Sequence, residues 1–259
     1  MSTESHGAAV STESHGAAVS TSTTRVVVHP DATAVAEATA ARLLVTLVDT
    51  LSVRDVAHVV VTGGTVGIAT LAAVARSPLA ATIDWTSVHV WWGDERFVAA
   101  GDPDRNEGQA QQALLGSLPL PEENIHRMGA AGSFATAEEA AADYVAQITA
   151  AGTPAWDVLM LGMGPDGHVA SLFPGHAGYA ARGAESIAVH DSPKPPPTRV
   201  SLTLESIRRA RRVWVVAAGA GKADVVARSL HGDLELPAAA VRGTQETLWL
   251  IDAEAAARV

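Results

Sequence analysis

The chain has 259 residues, of which 47% are hydrophobic, enough to build a substantial core in one large or two small domains. Its formal net charge of −10 and its pI of about 5.4 disfavour nucleic acid and anionic membrane surfaces as partners. The absence of cysteine excludes disulfides, thiolate zinc sites and a cysteine nucleophile, and together with the lack of a long apolar run it leads us to expect a cytoplasmic protein with no membrane span.

The N-terminal region is predicted to be a disordered tail. The nonapeptide STESHGAAV occurs at positions 2–10 and again, letter for letter, at positions 11–19. Ser, Thr, Gly and Ala dominate this region and cannot build a core, and two nine-residue copies are too short for a solenoid. We therefore expect a tail over residues 1–23, with no role for His6 or His15, and a single α/β domain over residues 24–259.

Strands and helices are predicted to alternate from Thr24 onward. The predicted strands cover residues 25–29, 58–62, 88–92, 158–161, 186–190, 199–204, 213–217 and 247–251. The first predicted helix begins after Asp31 and ends near residue 50, and the second follows residues 63–67 and ends near 76. Two more cover 106–115 and 136–151, a fifth follows residues 219–222 and ends near 231, and an Ala-rich helix closes the chain. Continuous Val/Leu strands between helices are typical of a mostly parallel, doubly wound, modified Rossmann-like sheet with helices on both faces.

Four predicted strands end in glycine-rich or charged segments. These segments are Gly63-Gly64-Thr65, Gly93-Asp94-Glu95-Arg96, Gly162-Met163-Gly164-Pro165-Asp166-Gly167-His168 and Gly219-Ala220-Gly221-Lys222. An open α/β sheet binds its ligands in a crevice at the carboxyl ends of its strands. Taken together, the segments indicate a crevice for a small phosphorylated molecule.

Three of the segments offer groups that bind anions. Backbone N–H groups at a helix start and the Thr65 hydroxyl can bind phosphate, and Arg96 can hold it through two hydrogen bonds. Lys222 adds a positive charge. Each group also has a plain structural alternative, which is a tight turn for Gly63–Thr65, an internal salt bridge for Arg96 and solvation for Lys222.

The remaining segment offers acid–base chemistry. His168 is the type of side chain best suited to proton transfer near neutral pH, and Asp166 can orient its ring; the alternative is a turn with both side chains solvated. A metal centre is disfavoured, because the candidate ligands Asp94, Glu95, Asp166 and His168 lack the spacing of known metal motifs. The glycines match neither a Walker loop nor a dinucleotide fingerprint, so no cofactor is expected.

Five segments, in order, resemble the family of glucosamine-6-phosphate isomerases and 6-phosphogluconolactonases. They are residues 61–65, 92–96, 161–175, 192–200 and 219–223, within a resemblance that runs from about Thr24 to the C-terminus. The resemblance implies that the chain hydrolyses 6-phospho-D-glucono-1,5-lactone to 6-phospho-D-gluconate in the oxidative pentose phosphate pathway. The implied partner is this sugar lactone, without a cofactor, and a monomer is favoured.

Two differences favour the lactonase branch over the deaminase branch. The deaminases resemble Gly-His-Ile-Ala-Phe-Asn-Glu-Pro-Gly, whereas this chain has Leu172 and Phe173 in place of Asn-Glu. They also resemble Asp-Glu-Tyr where this chain has Arg96 in the third position. A deaminase-like isomerase and a non-catalytic sugar-phosphate sensor remain the alternatives, although a sensor leaves the Asp166/His168 pair without a role.

The chain also departs from the family pattern. Residues 65–67 replace the usual Ser-Thr-Pro: Thr65 keeps a hydroxyl, Val66 removes one and Gly67 is expected to loosen the turn. Either phosphate binds more weakly there or Arg96 and Lys222 supply more of its binding. Arg105 and Glu107 replace the more usual Ser and Tyr.

The implied mechanism uses water as the nucleophile. His168 acts as general base on the water and Asp166 orients the imidazole, while backbone N–H groups of a glycine loop hold the oxyanion. A Ser171 nucleophile has no motif to support it. The predicted substrate-binding residues are Gly63, Gly64, Thr65, Asp94, Arg96 and Lys222, with Arg199 as a weaker candidate.

Overall fold

A computed structural model of the protein describes residues 22–259, so the duplicated nonapeptide and the two histidines in it lie outside the described residues. The strands in the described part are β1 (Thr23–His29), β2 (Ala57–Val61), β3 (Val88–Trp92), β4 (Asp94–Arg96), β5 (Val158–Gly162), β6 (Ser186–Val189), β7 (Arg199–Leu202), β8 (Arg212–Ala217) and β9 (Glu246–Asp252). The α-helices are α1 (Ala32–Leu51), α2 (Gly64–Arg76), α3 (Asn106–Ala113), α4 (Ala137–Ala150), α5 (Ala177–Ala180), α6 (Leu204–Arg208), α7 (Ala223–Leu230) and α8 (Pro237–Ala240). None of these helices is long and apolar enough to cross a membrane.

Six strands form a central parallel sheet in the order β1-β9-β8-β5-β2-β3. Its strands bury side chains on both faces, because successive residues of a strand point to opposite sides. In β5, Leu159 and Leu161 join one core and Val158 and Met160 join the other. The first core packs under α4, α7 and α8, and the second under α1 and α2. The predicted mostly parallel sheet with helices on both faces is confirmed.

Local capping signals place several helix ends where the sequence predicts them. The carboxylate of Asp31 accepts the Ala34 N–H at 2.8 Å at the start of α1, and Thr136 caps α4 through the Glu139 N–H. An N-cap of this kind stabilises a helix by roughly 1 kcal/mol, since it satisfies an otherwise unpaired backbone donor.

A second, antiparallel sheet corrects the prediction that residues 93–96 form a loop. Residues Asp94–Arg96 are the strand β4, which pairs with β7, and β7 in turn pairs with β6. The Leu202 N–H also donates to the Gly93 carbonyl at 2.9 Å. The pairing satisfies backbone groups beside the cavity that a loop would leave to water.

The predicted C-terminal helix is wrong. Residues 253–258 form turns, in which the Asp252 carboxylate accepts the Ala255 N–H at 2.8 Å. Only seven residues follow β9, and so short a segment does not repay the cost of nucleating a helix. The helix predicted after the Gly63–Thr65 loop, by contrast, begins earlier, at Gly64.

A cluster of three histidines and a tryptophan lies at the amino ends of β2 and β3, opposite to the strand ends that carry the predicted site. His58 and His89 are paired in register, and His89 Nδ1 lies 2.8 Å from His126 Nε2. Trp91 stacks on His126 with centroids 3.6 Å apart and donates its indole N–H to His58 Nδ1 at 3.2 Å. Burial, followed by repulsion from His89, lowers the pKa of His58 and of His126 to about 4.

The cluster predicts a loss of stability in mild acid. A folded-state pKa below the unfolded value gives stability that is present above pH 6.5 and is lost as the pH falls towards 4. After allowance for partial exposure, each histidine is expected to cost about 1 kcal/mol at pH 5, or about 2–4 °C in Tm. His126→Phe keeps the stack on Trp91 and should shrink the fall in Tm between pH 7 and pH 5, measured by calorimetry.

The matched control is His231→Gln on the exposed end of α7, which should leave that fall unchanged. If His126→Phe loses as much Tm between the two pH values as the unmodified protein, the cluster is not the source of the acid sensitivity.

Candidate active site

A cavity of about 760 Å³ opens at the carboxyl ends of the six parallel strands, each of which contributes lining residues. Its volume suits a phosphorylated sugar, because small-molecule sites commonly enclose about 300–1,000 Å³. The predicted residues that line it are Gly63, Gly64, Thr65, Asp94, Arg96, His168, Arg199 and Lys222. The sheet therefore brings together residues that are as much as 159 positions apart, and the remaining predicted residue, Asp166, contacts His168.

His168 and Asp166 form a hydrogen-bonded pair at the end of β5. The distance from His168 Nδ1 to Asp166 Oδ1 is 2.5 Å, and this bond assigns the ring proton to Nδ1 and leaves Nε2 as the basic nitrogen. Partial burial acts to raise the pKa of Asp166, but the hydrogen bond from His168 and the charges of His168 and Lys194 outweigh it and lower the pKa well below its usual range. Asp166 is therefore an anion that can stabilise a protonated imidazole.

Gly164 makes room for this pair. A Cβ at that position would overlap the His168 ring and approach Asp166 Oδ1 within 2.5 Å. The Gly164 N–H also donates to the His168 carbonyl at 3.0 Å, which closes the turn beneath the imidazole. On the other side, the Phe173 ring lies 4.6 Å from the His168 ring and is buried.

The start of α2 forms another wall of the cavity. Gly63 precedes the helix without a side-chain cap, and Gly64 begins it with a φ of +78°, in the left-handed region that favours glycine. The first N–H groups of a helix lack intrahelical acceptors and point towards bound anions. The expected loosening by Gly67 is wrong, because Gly67 is buried where a Cβ would press on the Thr62 carbonyl oxygen, so it packs the first turn more closely.

Arg96 reaches the cavity with part of its hydrogen-bonding capacity unused. One Nη1 donates to Asn106 Oδ1, whereas the Arg96 Nε is buried without a hydrogen-bond partner among residues 22–259. Asn106 is itself held by a 2.8 Å bond from its Nδ2 to the Asp94 carbonyl. Within this part of the chain Arg96 forms no salt bridge with Asp94 or Glu95, so that alternative is wrong.

Glu95 belongs to the scaffold rather than to the cavity. Its buried carboxylate accepts the N–H groups of Asn106 and Glu107 at 2.8 and 2.9 Å and so caps α3. Burial raises the pKa of Glu95, and Arg105 and the backbone N–H groups act against that rise. Arg105 is also buried and donates to the Met128 carbonyl at 2.7 Å. The departures at Arg105 and Glu107 therefore alter this buried network and not the cavity wall.

Arg199 lines the cavity, but most of its donors are used within the protein. It donates to the carbonyls of Lys194, Pro195 and Pro196 at 3.0–3.2 Å, and its Nη1 lies 3.8 Å from Asp94 Oδ2. The same Asp94 carboxylate accepts the hydroxyl of Ser171 at 2.6 Å.

Ser171 is fully buried and its hydroxyl is committed to Asp94. A nucleophilic role for Ser171 is therefore excluded.

The segment after β8, residues 219–222, contributes the Lys222 side chain to the cavity rather than backbone N–H groups. The N–H groups of Gly219 and Ala220 donate to the carboxylates of Asp252 and Glu254 at 3.0 and 3.2 Å. The side chain of Lys222 faces the cavity. Burial, followed by repulsion from Lys194, lowers the pKa of Lys222, and Asp252 opposes this change.

The sequence analysis missed Lys194 as a site residue. Its Nζ lies 3.4 Å from Asp166 Oδ1 and 3.3 Å from His168 Nδ1. The sequence offered one signal, a lone cation within a proline run. The position of that cation beside His168 becomes visible only in the folded chain, where Arg199 holds the backbone of the run. Within residues 22–259, no group of three or more His, Asp or Glu side chains is arranged to hold a metal ion.

Comparison with known proteins places the chain in one family. The family model described as glucosamine-6-phosphate isomerases/6-phosphogluconolactonase matches residues 30–249. A 6-phosphogluconolactonase of Streptomyces coelicolor is 50% identical over 246 residues, which are 91% of this chain and 94% of the relative. The crystal structure of a 6-phosphogluconolactonase from Thermotoga maritima superposes with a TM-score of 0.80 at 25% identity, covering 89% of this chain and 100% of that one.

The fold is also shared with a monomeric glucosamine-6-phosphate deaminase. Its structure superposes with a TM-score of 0.77 at 17% identity, covering 91% of this chain and 100% of that one. At this identity the likeness concerns the fold alone, so the chemistry has to be argued from the side chains in the cavity.

The geometry at Arg96 predicts that it binds phosphate directly. Arg96→Gln removes the charge and the unpaired Nε, and the affinity for inorganic phosphate, measured by calorimetry, should fall about tenfold, as expected for the loss of one charge-assisted hydrogen bond. The control is Arg76→Gln at the exposed far end of α2, which should bind phosphate as the unmodified protein does. Equal affinity in both variants would remove Arg96 from the phosphate site.

Proposed function

The chain belongs to the family of glucosamine-6-phosphate isomerases and 6-phosphogluconolactonases, and we propose that it hydrolyses 6-phospho-D-glucono-1,5-lactone to 6-phospho-D-gluconate, as a carboxylic ester hydrolase of the oxidative pentose phosphate pathway. The observation that carries the proposal is the bonded pair of His168 and Asp166 in a cavity that also contains Arg96 and Lys222. A base and an anion-binding surface in one cavity are what a charged ester substrate requires.

In the proposed mechanism, water attacks C1 of the lactone while His168 Nε2 accepts its proton. A bond forms between the water oxygen and C1, and the carbonyl electron pair moves to the carbonyl oxygen, which becomes an oxyanion. When this intermediate collapses, the bond from C1 to the ring oxygen breaks and the imidazolium returns its proton to that oxygen. The new carboxylic acid then loses its proton to solvent. Asp166 stabilises the imidazolium through the Nδ1–H bond.

The phosphate is proposed to bind at the start of α2, between Arg96 and Lys222. The N–H groups of the first helical turn, the Thr65 hydroxyl and two cations line this part of the cavity. Fixing the phosphate at one end restricts where C1 can lie, and this positioning converts a random encounter into an oriented attack. Asp94 is proposed to assist by holding Arg199 in place beside the substrate.

The surroundings of His168 favour the lactonase over the deaminase. Leu172 and Phe173 occupy the positions of the Asn-Glu pair in the deaminase pattern, and both side chains are buried. Phe173 packs against the imidazole, so an apolar ring is found where that pattern has a carboxylate. A non-catalytic sensor is disfavoured because it has no use for an imidazole whose Nε2 is left basic by Asp166.

We further propose that the protein acts in the cytoplasm as a monomer. Every residue of the proposed site comes from one chain, so a partner subunit is not required to complete it. The substrate is a phosphorylated sugar, whose charge confines it to the compartment in which it is made.

The primary test measures hydrolysis of freshly made 6-phosphoglucono-1,5-lactone, corrected for the spontaneous reaction and with a chelator present. His168→Ala should lower kcat by about 10²–10⁴-fold, since it removes the general base. His231→Ala is the control and should remain fully active. Ammonia release from glucosamine 6-phosphate, or tight binding of 6-phosphogluconate without lactone hydrolysis, would contradict the proposal in favour of the deaminase or the sensor.

Gly164→Ala tests the geometry of the pair without removing either group. The added methyl should displace the imidazole, and a misplacement of about 1 Å costs about 10²-fold in rate. Gly108→Ala in α3 is the matched control, because a Cβ there meets nothing within 4 Å, and it should leave kcat unchanged. A Gly164→Ala variant with normal kcat would mean that the position of His168 does not limit the reaction.

A further inference from the structure

The glycines of the segment that carries His168 do not offer a free N–H group to the negative charge that develops on the lactone oxygen. The N–H groups of Gly162 and Gly164 donate to Thr62 Oγ1 and to the His168 carbonyl at 3.2 and 3.0 Å. The Gly167 N–H donates to the Gly164 carbonyl, also at 3.0 Å. These donors are used to hold the turn, so the expectation that this glycine loop supplies the oxyanion donors is not supported.

The segment after β8 is committed in the same way. Its first two N–H groups, those of Gly219 and Ala220, are bound by the carboxylates of Asp252 and Glu254, and the Lys222 N–H donates to the Gly219 carbonyl at 3.0 Å. The free N–H groups at the start of α2 are assigned to the phosphate. A side chain close to His168 is a further candidate for the partner of the oxyanion.

Lys194 is a cation in contact with the pair of His168 and Asp166. Its Nζ approaches His168 Nδ1 at 3.3 Å and Asp166 Oδ1 at 3.4 Å, and its side chain keeps 38% of its surface exposed. The contact with Asp166 is long for a charge-assisted hydrogen bond, which normally measures about 2.7–2.9 Å, and Nδ1 carries the proton that it donates to Asp166, so the pair does not hold the ammonium tightly. Four rotatable bonds allow it to reach a substrate atom in the cavity that it lines.

The backbone that carries Lys194 is, by contrast, firmly held. Arg199 donates to the Lys194 and Pro195 carbonyls at 3.1 and 3.2 Å, and the Ser192 hydroxyl donates to the Lys194 carbonyl at 3.0 Å. The base of the side chain is therefore fixed while its tip remains free to move. The fixed backbone keeps the ammonium beside the pair of Asp166 and His168.

We propose that Lys194 binds the oxyanion of the tetrahedral intermediate, an assignment that rests on the proposed lactonase activity. As His168 becomes a cation beside the Asp166 anion, the lactone oxygen becomes an anion beside the Lys194 cation. The two new charges thus each meet a pre-existing charge of opposite sign. Lys194 and Lys222 then have separate roles, with Lys194 at C1 and Lys222 at the phosphate.

The test compares Lys194→Met with Lys222→Met and measures both lactone turnover and the affinity for inorganic phosphate. Lys194→Met should lower kcat by about 10²-fold, the usual cost of losing one oxyanion donor, and should bind phosphate with unchanged affinity. Lys222→Met should weaken phosphate binding and raise KM. Lys194→Arg keeps the charge and should recover most of the lost kcat, which guards against a loss caused by misfolding.

Three outcomes would overturn the assignment. If Lys194→Met binds phosphate more weakly but keeps a normal kcat, Lys194 is a phosphate ligand. If the unmodified protein is an active lactonase and Lys194→Met has the same turnover, Lys194 has no part in catalysis. A loss of the Lys194→Met effect in an Asp166→Asn background would show that Lys194 only positions Asp166. Absence of lactonase activity in the unmodified protein would instead refute the proposed function, and the assignment with it.

Discussion

The meeting of six parallel strand ends on one side of the sheet is the constraint on which the site depends. The six strands all point their carboxyl ends towards the cavity, so each contributes the segment that follows it. Such an arrangement leaves backbone groups to be satisfied and requires the chain to turn sharply. Glycines permit these turns, and the structure uses the released N–H groups either to close a turn, as at Gly164, or to begin a helix, as at Gly64.

The second constraint is electrostatic, because four cationic side chains line a single cavity. Placing several like charges close together and partly out of water raises the free energy of the folded protein. The protein limits this cost by giving the cations different partners. Arg199 is bound by backbone carbonyls and serves to hold the proline run. Lys222 lies near Asp252, and its lowered pKa reflects both burial and the neighbouring Lys194. Arg96 lines the cavity and keeps a buried Nε without a partner in the described part of the chain, in line with its proposed role at the phosphate.

Local sequence patterns were sufficient for the sheet but not for the whole site. Val/Leu runs and caps such as Asp31 depend on neighbours within a few residues, and the elements they predict are present. The strand β4 depends on β7, more than 100 residues later, and short charged segments carry no signal for such a pairing. Lys194 was missed for a related reason, because its contact with His168 joins residues that are 26 positions apart. The Ala-rich C-terminus had helix propensity but too little length.

The fold by itself does not decide between ester hydrolysis and amino-sugar chemistry, since a deaminase of 17% identity has the same architecture. What differs is the immediate environment of the imidazole. A carboxylate in place of Phe173 would introduce a second proton acceptor next to His168, and its charge would be expensive to bury in so apolar a place. Phe173 instead leaves Asp166 as the one carboxylate hydrogen-bonded to the ring in the described chain, so the imidazole has a single partner and a single free nitrogen. That arrangement suits one proton taken from water and returned to a ring oxygen, which is what lactone hydrolysis demands of its general base.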